Sequence, residues 1–156
     1  MINRDGIKKH FTASAIIIKD AKVLLVNHKK LGVWLYPGGH VEDDETPDGA
    51  VVREVKEETG LDVEIIGDID NSLEDKDTDV SVLKKPYQIL CELIKGDESH
   101  YHIDLVYFCS IIGSGELTSN DKESNDIRFF SYNELDGIAL FPSFRKLLEK
   151  AFKENI

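Results

Sequence analysis

At 156 residues, with 41% hydrophobic and 31% charged side chains, the chain has the size and composition of one soluble globular domain, able to bury a core without disulfides. A formal net charge of −11 argues against holding nucleic acid through its phosphates, which takes a basic surface; a small phosphorylated ligand stays compatible, because bound cations reverse the local field. No apolar run is long enough to cross a bilayer, no signal-peptide pattern follows the basic start Arg4–His10, and Cys91 and Cys109 match no zinc or redox spacing. We therefore expect a cytoplasmic protein with buried free thiols and no membrane partner. No repeat or linker-like shift in composition divides it, so residues 1–156 read as a single domain; the oligomeric state stays open, a homodimer included.

In chain order, His10–Lys19 (HFTASAIIIK) is rich in strand formers and ends at the turn Asp20-Ala21, from which Lys22–His28 (KVLLVNH) returns as a hairpin partner. Val33–Tyr36 is a third extended piece. It runs into Pro37-Gly38-Gly39, where the glycines permit a tight turn or close approach of the main chain to a ligand. A helix is predicted next: Thr46 can cap it, Pro47 suits its first position, and Gly60 suits the left-handed residue past its end. Val51, Val52 and Val55 form its apolar stripe. Glu54, Glu57 and Glu58, at i, i+3 and i+4, share a face roughly 100° away. Three like charges so placed repel one another unless a cation lies between them, and a hard divalent cation with oxygen ligands suits the gap. Arg53, four residues before Glu57, can offset part of the repulsion and orient a carboxylate.

Asp62–Ile69 reads as a strand. Asp68–Asp79 is acidic but lacks the mid-loop glycine of a calcium-binding EF-hand, which leaves a solvated loop. Pro86–Lys95, Tyr101–Ile112 and Ile127–Phe130 are further strands. Ser143–Phe152 is a closing helix with Phe144, Leu147, Leu148, Ala151 and Phe152 on one side. The order predicts an α/β fold with a mixed β-sheet sandwiched between α-helices. On their strand, His100, His102 and Asp104 would share a face, as either a transition-metal site or a polar floor to a pocket. Trp34 and Tyr36 could stack on a base or pack in the core. His28 and His40 flank the glycine pair.

The stretch Gly39–Leu61, GHVEDDETPDGAVVREVKEETGL, resembles the signature of the Nudix hydrolases, G-x5-E-x7-R-E-U-x-E-E-x-G-U with U a bulky aliphatic. Gly39, Glu45, Arg53, Glu54, Val55, Glu57, Glu58, Gly60 and Leu61 fill every fixed position, a coincidence on the order of one in 10⁹ per starting position at ordinary residue frequencies. The resemblance implies a Nudix fold and hydrolysis of a diphosphate in a nucleoside diphosphate linked to another group, with Mg²⁺, or Mn²⁺, as cofactor. By position it implies Glu54, Glu57 and Glu58 as metal ligands, with a carbonyl from Gly38. It has Arg53 orienting the carboxylates and Glu45 bonding Arg53 or binding a further cation, with Gly39 near the substrate. Either Glu54 or Glu123, ahead of the last strand, would take the proton of the attacking water, and Glu123 could also reach the metal. His102 would contact the substrate from the floor of the cleft, with Trp34 a candidate beside it. Cations suit this chemistry because they neutralise phosphoryl oxygens and lower the pKa of bound water. Marks of the ADP-ribose, diadenosine polyphosphate, coenzyme A and NADH types are absent. That leaves a small phosphorylated nucleotide substrate — a nucleoside triphosphate, a modified nucleotide or a nucleotide sugar — and a house-cleaning role. The rival expectation is a nucleotide-binding module without turnover.

Overall fold

The computed structural model describes residues 3–118 and 124–155, with the backbone alone at 124 and 125. Strand β1 (Lys9–Lys19) lies at its centre and is apolar on both faces: Ala13, Ala15 and Ile17 point one way, Ile16 the other, and all four are fully buried. A strand buried on both sides needs a covering layer on each. Helix α1 (Pro47–Thr59) covers one face through Ala50, Val51 and Val55, and helix α2 (Pro142–Glu154) covers the other through Phe144, Leu147, Leu148 and Ala151.

At Asp20 and Ala21, both at positive φ (51° and 60°), β1 turns into β2 (Lys22–His28), the backbone of a two-residue hairpin loop. The pair then splays. β2 goes on to pair with β3 (Val33–Leu35) and β8 (Ser124–Ser131), while β1 takes β4 (Gly38–His40) on one side and β7 (His100–Ile112) on the other. The long β7 holds β6 (Gln88–Ile94) along its first half and β5 (Asp62–Ile65) along its last residues. Among the described residues only β1 and β7 run parallel, so the sheet is mixed and lies between two helices, as the order of elements predicts. Among the described residues no helix is long and apolar enough to cross a membrane.

The ends of α1 follow from local chemistry. Thr46 Oγ1 accepts the N–H of Gly49, Pro47 opens the helix, and Gly60, at φ 76°, donates its N–H to the Lys56 carbonyl. Val52 departs from expectation and is 36% exposed. One residue on from Val51 turns the side chain by about 100°, whereas four residues on, at Val55, it returns to within about 40° of Val51. The core therefore takes Val51 and Val55 and leaves Val52 out.

Gly38 and Gly39 do not form the turn that a glycine pair suggests. They are strand β4, in register with Ser14 and Ala13. A Cβ on Gly38 would sit 2.5 Å from the Ala13 carbonyl oxygen and 2.7 Å from Ser14 Cα, so the glycine is there for close approach and not for a left-handed backbone. The strand after α1 stops at Ile65, short of Ile69. Asp68–Asp79 is exposed throughout, with a 3₁₀ turn at Asn71–Leu73. Of the cysteines only Cys109 is buried, where desolvation pushes its thiol up to about 12; Cys91, on β6, is exposed, which corrects the expectation of two buried thiols.

Gly38→Ala should therefore destabilise the protein by about 1–3 kcal/mol in urea denaturation, because backbone and not a movable side chain is in the way. Val52→Ala should stay within about 0.5 kcal/mol of wild type.

Candidate functional site

The helix register sends three carboxylates toward the end of α1 that meets β4, and Arg53 organises them. Its Nε and Nη2 donate to the two oxygens of Glu45 (2.9 and 2.5 Å), and its Nη1 donates to Glu54 (3.0 Å) and Glu57 (3.2 Å). Nη2 also donates to the His40 carbonyl at 3.1 Å. One guanidinium thus joins the loop before the helix, the helix and β4. Glu45 further accepts the Glu42 N–H at 2.9 Å. The hydrogen bonds from Arg53 and then from Glu42 hold its carboxyl down at about 2, and Glu45 in turn raises the guanidinium pKa still further.

Glu58 is turned inward, 5% exposed, and accepts the N–H of Gly38 at 2.9 Å. Glu54 lies against Gly39, where a Cβ would come within 2.4 Å of its carboxyl carbon. Glu57 points outward with its side chain 54% exposed. Glu45, Glu54 and Glu57 share one guanidinium, and Glu58 accepts from the main chain. Glu54, Glu57 and Glu58 are hard oxygen donors from adjacent turns of one helix, and they fit a small divalent cation. The expected residues Gly38, Gly39, Glu45, Arg53, Glu54, Glu57 and Glu58 are brought together. Glu123 lies outside the described residues.

On the face of the sheet away from α1 a second polar group is buried among apolar neighbours. Asp104 accepts hydrogen bonds from Thr12 Oγ1 and Ser14 Oγ at 2.9 Å each and from the Tyr36 hydroxyl at 2.5 Å. Burial, then Asp104, raises the Tyr36 phenol, which stays a neutral donor. Glu92 hydrogen-bonds to the same carboxylate, and burial followed by repulsion from Asp104 pushes Glu92 up to about 7. Beside them, His102 is pushed down to about 4 by burial and by the imidazoles of His40, His100 and His10, and is neutral at physiological pH. An open cleft of about 770 Å³ lies at this end of the sheet, lined by His10, Phe11, His40, Val41, Glu42 and Pro47.

Trp34 follows the packing alternative: it is 7% exposed, edge-on to Phe130 at 4.8 Å, with the Arg128 guanidinium 5.0 Å over its ring. Tyr36 likewise packs on Phe144, but its hydroxyl joins the polar group. His28 ends β2 opposite Val33. The sequence reading missed His10, Thr12, Ser14 and Glu92. The signal was the alternation His10, Thr12, Ser14 at the head of an otherwise apolar strand, which puts three polar groups on one face.

The NUDIX domain family profile matches residues 8–151. An ADP-ribose pyrophosphatase of Methanocaldococcus jannaschii is 35% identical over 127 residues, covering 80% of this chain and 63% of that protein. A probable DHNTP pyrophosphohydrolase of Lactococcus lactis is 29% identical over 119 residues, covering 76% and 61%. The chain thus spans less than two thirds of the length of these relatives. A crystal structure of a NUDIX-family hydrolase from Clostridium perfringens superposes with a TM-score of 0.78 at 31% identity, covering 97% of this chain and 98% of that one.

The Glu92–Asp104 pair has a consequence for stability. Folding raises the Glu92 pKa from 4.5 to about 7, so the folded state holds a proton that the unfolded state has lost, and the Glu92 contribution to stability falls as pH rises between those values and levels off above them, while His102, lowered from 6.5 to about 4, contributes in the opposite direction. Glu92→Gln should remove the falling contribution alone, so its denaturant midpoints should rise more steeply with pH than those of wild type across this range.

Proposed function

The chain belongs to the Nudix family, and we propose that it hydrolyses a diphosphate linkage in a nucleoside diphosphate linked to another group, using Mg²⁺, or Mn²⁺, held by Glu54, Glu57, Glu58 and the Gly38 carbonyl. The observation that carries this reading is the Arg53 network, which fixes Glu45, Glu54 and Glu57 around one guanidinium while Glu58 is tied to the Gly38 N–H. When bound there, the cation supplies neutralisation of the phosphoryl oxygens and acidifies the attacking water.

The protein's own groups do the rest. Arg53 and Glu45 hold the carboxylates in place against their mutual repulsion. Gly39 leaves room for Glu54, which we assign as the proton acceptor because it is partly buried at the edge of β4, with Arg53 fixing one oxygen. The polar face of the sheet offers a neutral His102 beside the hydrogen-bonded Glu92 and Asp104. That face suits the uncharged edge of a nucleoside, with the phosphates carried past His40 toward the glutamates. The substrate is then a nucleoside triphosphate, a modified nucleotide or a nucleotide sugar, and the role is house-cleaning.

The test is release of a nucleoside monophosphate from a panel of dNTPs, oxidised dNTPs, nucleotide sugars, ADP-ribose and dinucleotides in the presence of Mg²⁺. Glu57→Gln should lower kcat by on the order of 10²–10³. No turnover across the panel combined with tight nucleotide binding would instead identify a binding module. Gly39→Ala should lower kcat while leaving the denaturation midpoint close to wild type, because the clash is with the movable end of Glu54.

A further inference from the structure

On the sheet face away from α1, the heads of β1 and β7 gather imidazoles apart from the glutamates of α1. His10 and His102 are partners in the parallel register, and His100, two residues before His102, shares its face. One ligand atom from each of the three lies within 4.8 Å of the others. We propose that His10, His100 and His102 form a binding site for a borderline transition-metal dication, with Zn²⁺ the best fit, separate from the carboxylate site on α1.

Four observations support it. The Nε2 atoms of His100 and His102 are 3.1 Å apart, and two nitrogens at about 2.0–2.1 Å from a tetrahedral Zn²⁺ stand about 3.3–3.4 Å apart, so that pair is already at ligand spacing. The His100 Nδ1 lies 3.1 Å from the Glu98 carbonyl, to which its N–H donates. That fixes the tautomer with the lone pair on Nε2, the usual outer-shell arrangement of a metal-bound histidine. His10 Nδ1 is buried with no hydrogen-bond partner among the described residues, a polar atom that ring rotation toward an ion would satisfy. Finally, Glu92 stands opposite His102 in the register of β6 and β7 and Asp104 two residues on, acidic groups that favour a cation nearby. The His40 ring stands edge-on to His102 at 5.0 Å, and His40 and His10 both line the cleft.

Asp104, which the sequence placed with His100 and His102, is not a ligand. Three hydroxyls already occupy its two oxygens, and His10 from the neighbouring strand takes its place. Imidazole nitrogens select zinc-like ions and carboxylates select magnesium-like ones, so this chain sorts two cations by ligand type.

The experiment is titration of the metal-free full chain with Co²⁺, read by its visible ligand-field bands, together with Zn²⁺ binding by calorimetry. The expected result is a single tetrahedral-type site that persists in Glu57→Gln and weakens by at least about tenfold in His10→Gln and in His102→Gln, with each variant shown to be folded by its thermal melt. Histidine ring ¹⁵N spectra of the wild type give a readout without substitution: Zn²⁺ should shift His10, His100 and His102 and leave His28 in place. Absence of the bands, their loss in Glu57→Gln, unchanged affinity in both histidine variants, or unshifted rings would overturn the proposal.

Discussion

Everything at the carboxylate site depends on the way Arg53 spreads its guanidinium. A helix that aligns Glu54, Glu57 and Glu58 works against its own stability, and the like charges would splay if left alone. Arg53 counters this from within the same helix. Its planar fork takes both oxygens of Glu45, reaches Glu54 and Glu57, and still donates to the His40 carbonyl. A lysine offers a point charge and could not reproduce that set of bonds. Because the same side chain holds the loop, the helix and β4 together, the carboxylates are placed relative to the main chain of Gly38 and Gly39 and not merely near it.

The glycine pair lets the two halves of the molecule meet. Gly38 allows β4 to lie against β1, and Gly39 allows Glu54 to stand where a Cβ would be. With β4 pressed into the sheet, its carboxylate edge faces α1 and its next residue, His40, turns to the other face, among imidazoles and beside the Asp104 group. Oxygen donors therefore collect on one side of a single strand and nitrogen donors on the other. The chemistry of each side follows from ligand type and burial.

The helix at the heart of the site was legible in detail because its signals are local: Thr46, Pro47 and Gly60 mark its ends, and Glu54, Glu57 and Glu58 its face. The second core helix and most of the strands along the chain were readable for the same reason. Features that depend on which strands meet were not. His10 and His102 are separated by most of the chain and become neighbours only through the parallel pairing of β1 and β7. The glycines suggested a turn, whereas close approach, of β1 at Gly38 and of Glu54 at Gly39, and not φ, requires them. Val52 shows the same limit: residue type put it in the apolar stripe, and packing left it exposed.

Relatives of this chain carry different substrate names, an ADP-ribose pyrophosphatase and a probable DHNTP pyrophosphohydrolase among them. The central claim is that Arg53 and β4 prepare the α1 glutamates for a divalent cation. Anomalous diffraction from crystals soaked in Mn²⁺ tests it most directly. The account predicts a manganese peak bounded by Glu54, Glu57 and Glu58 beside Gly38. Peaks confined to the histidines, or none at the helix under saturating Mn²⁺, would contradict it.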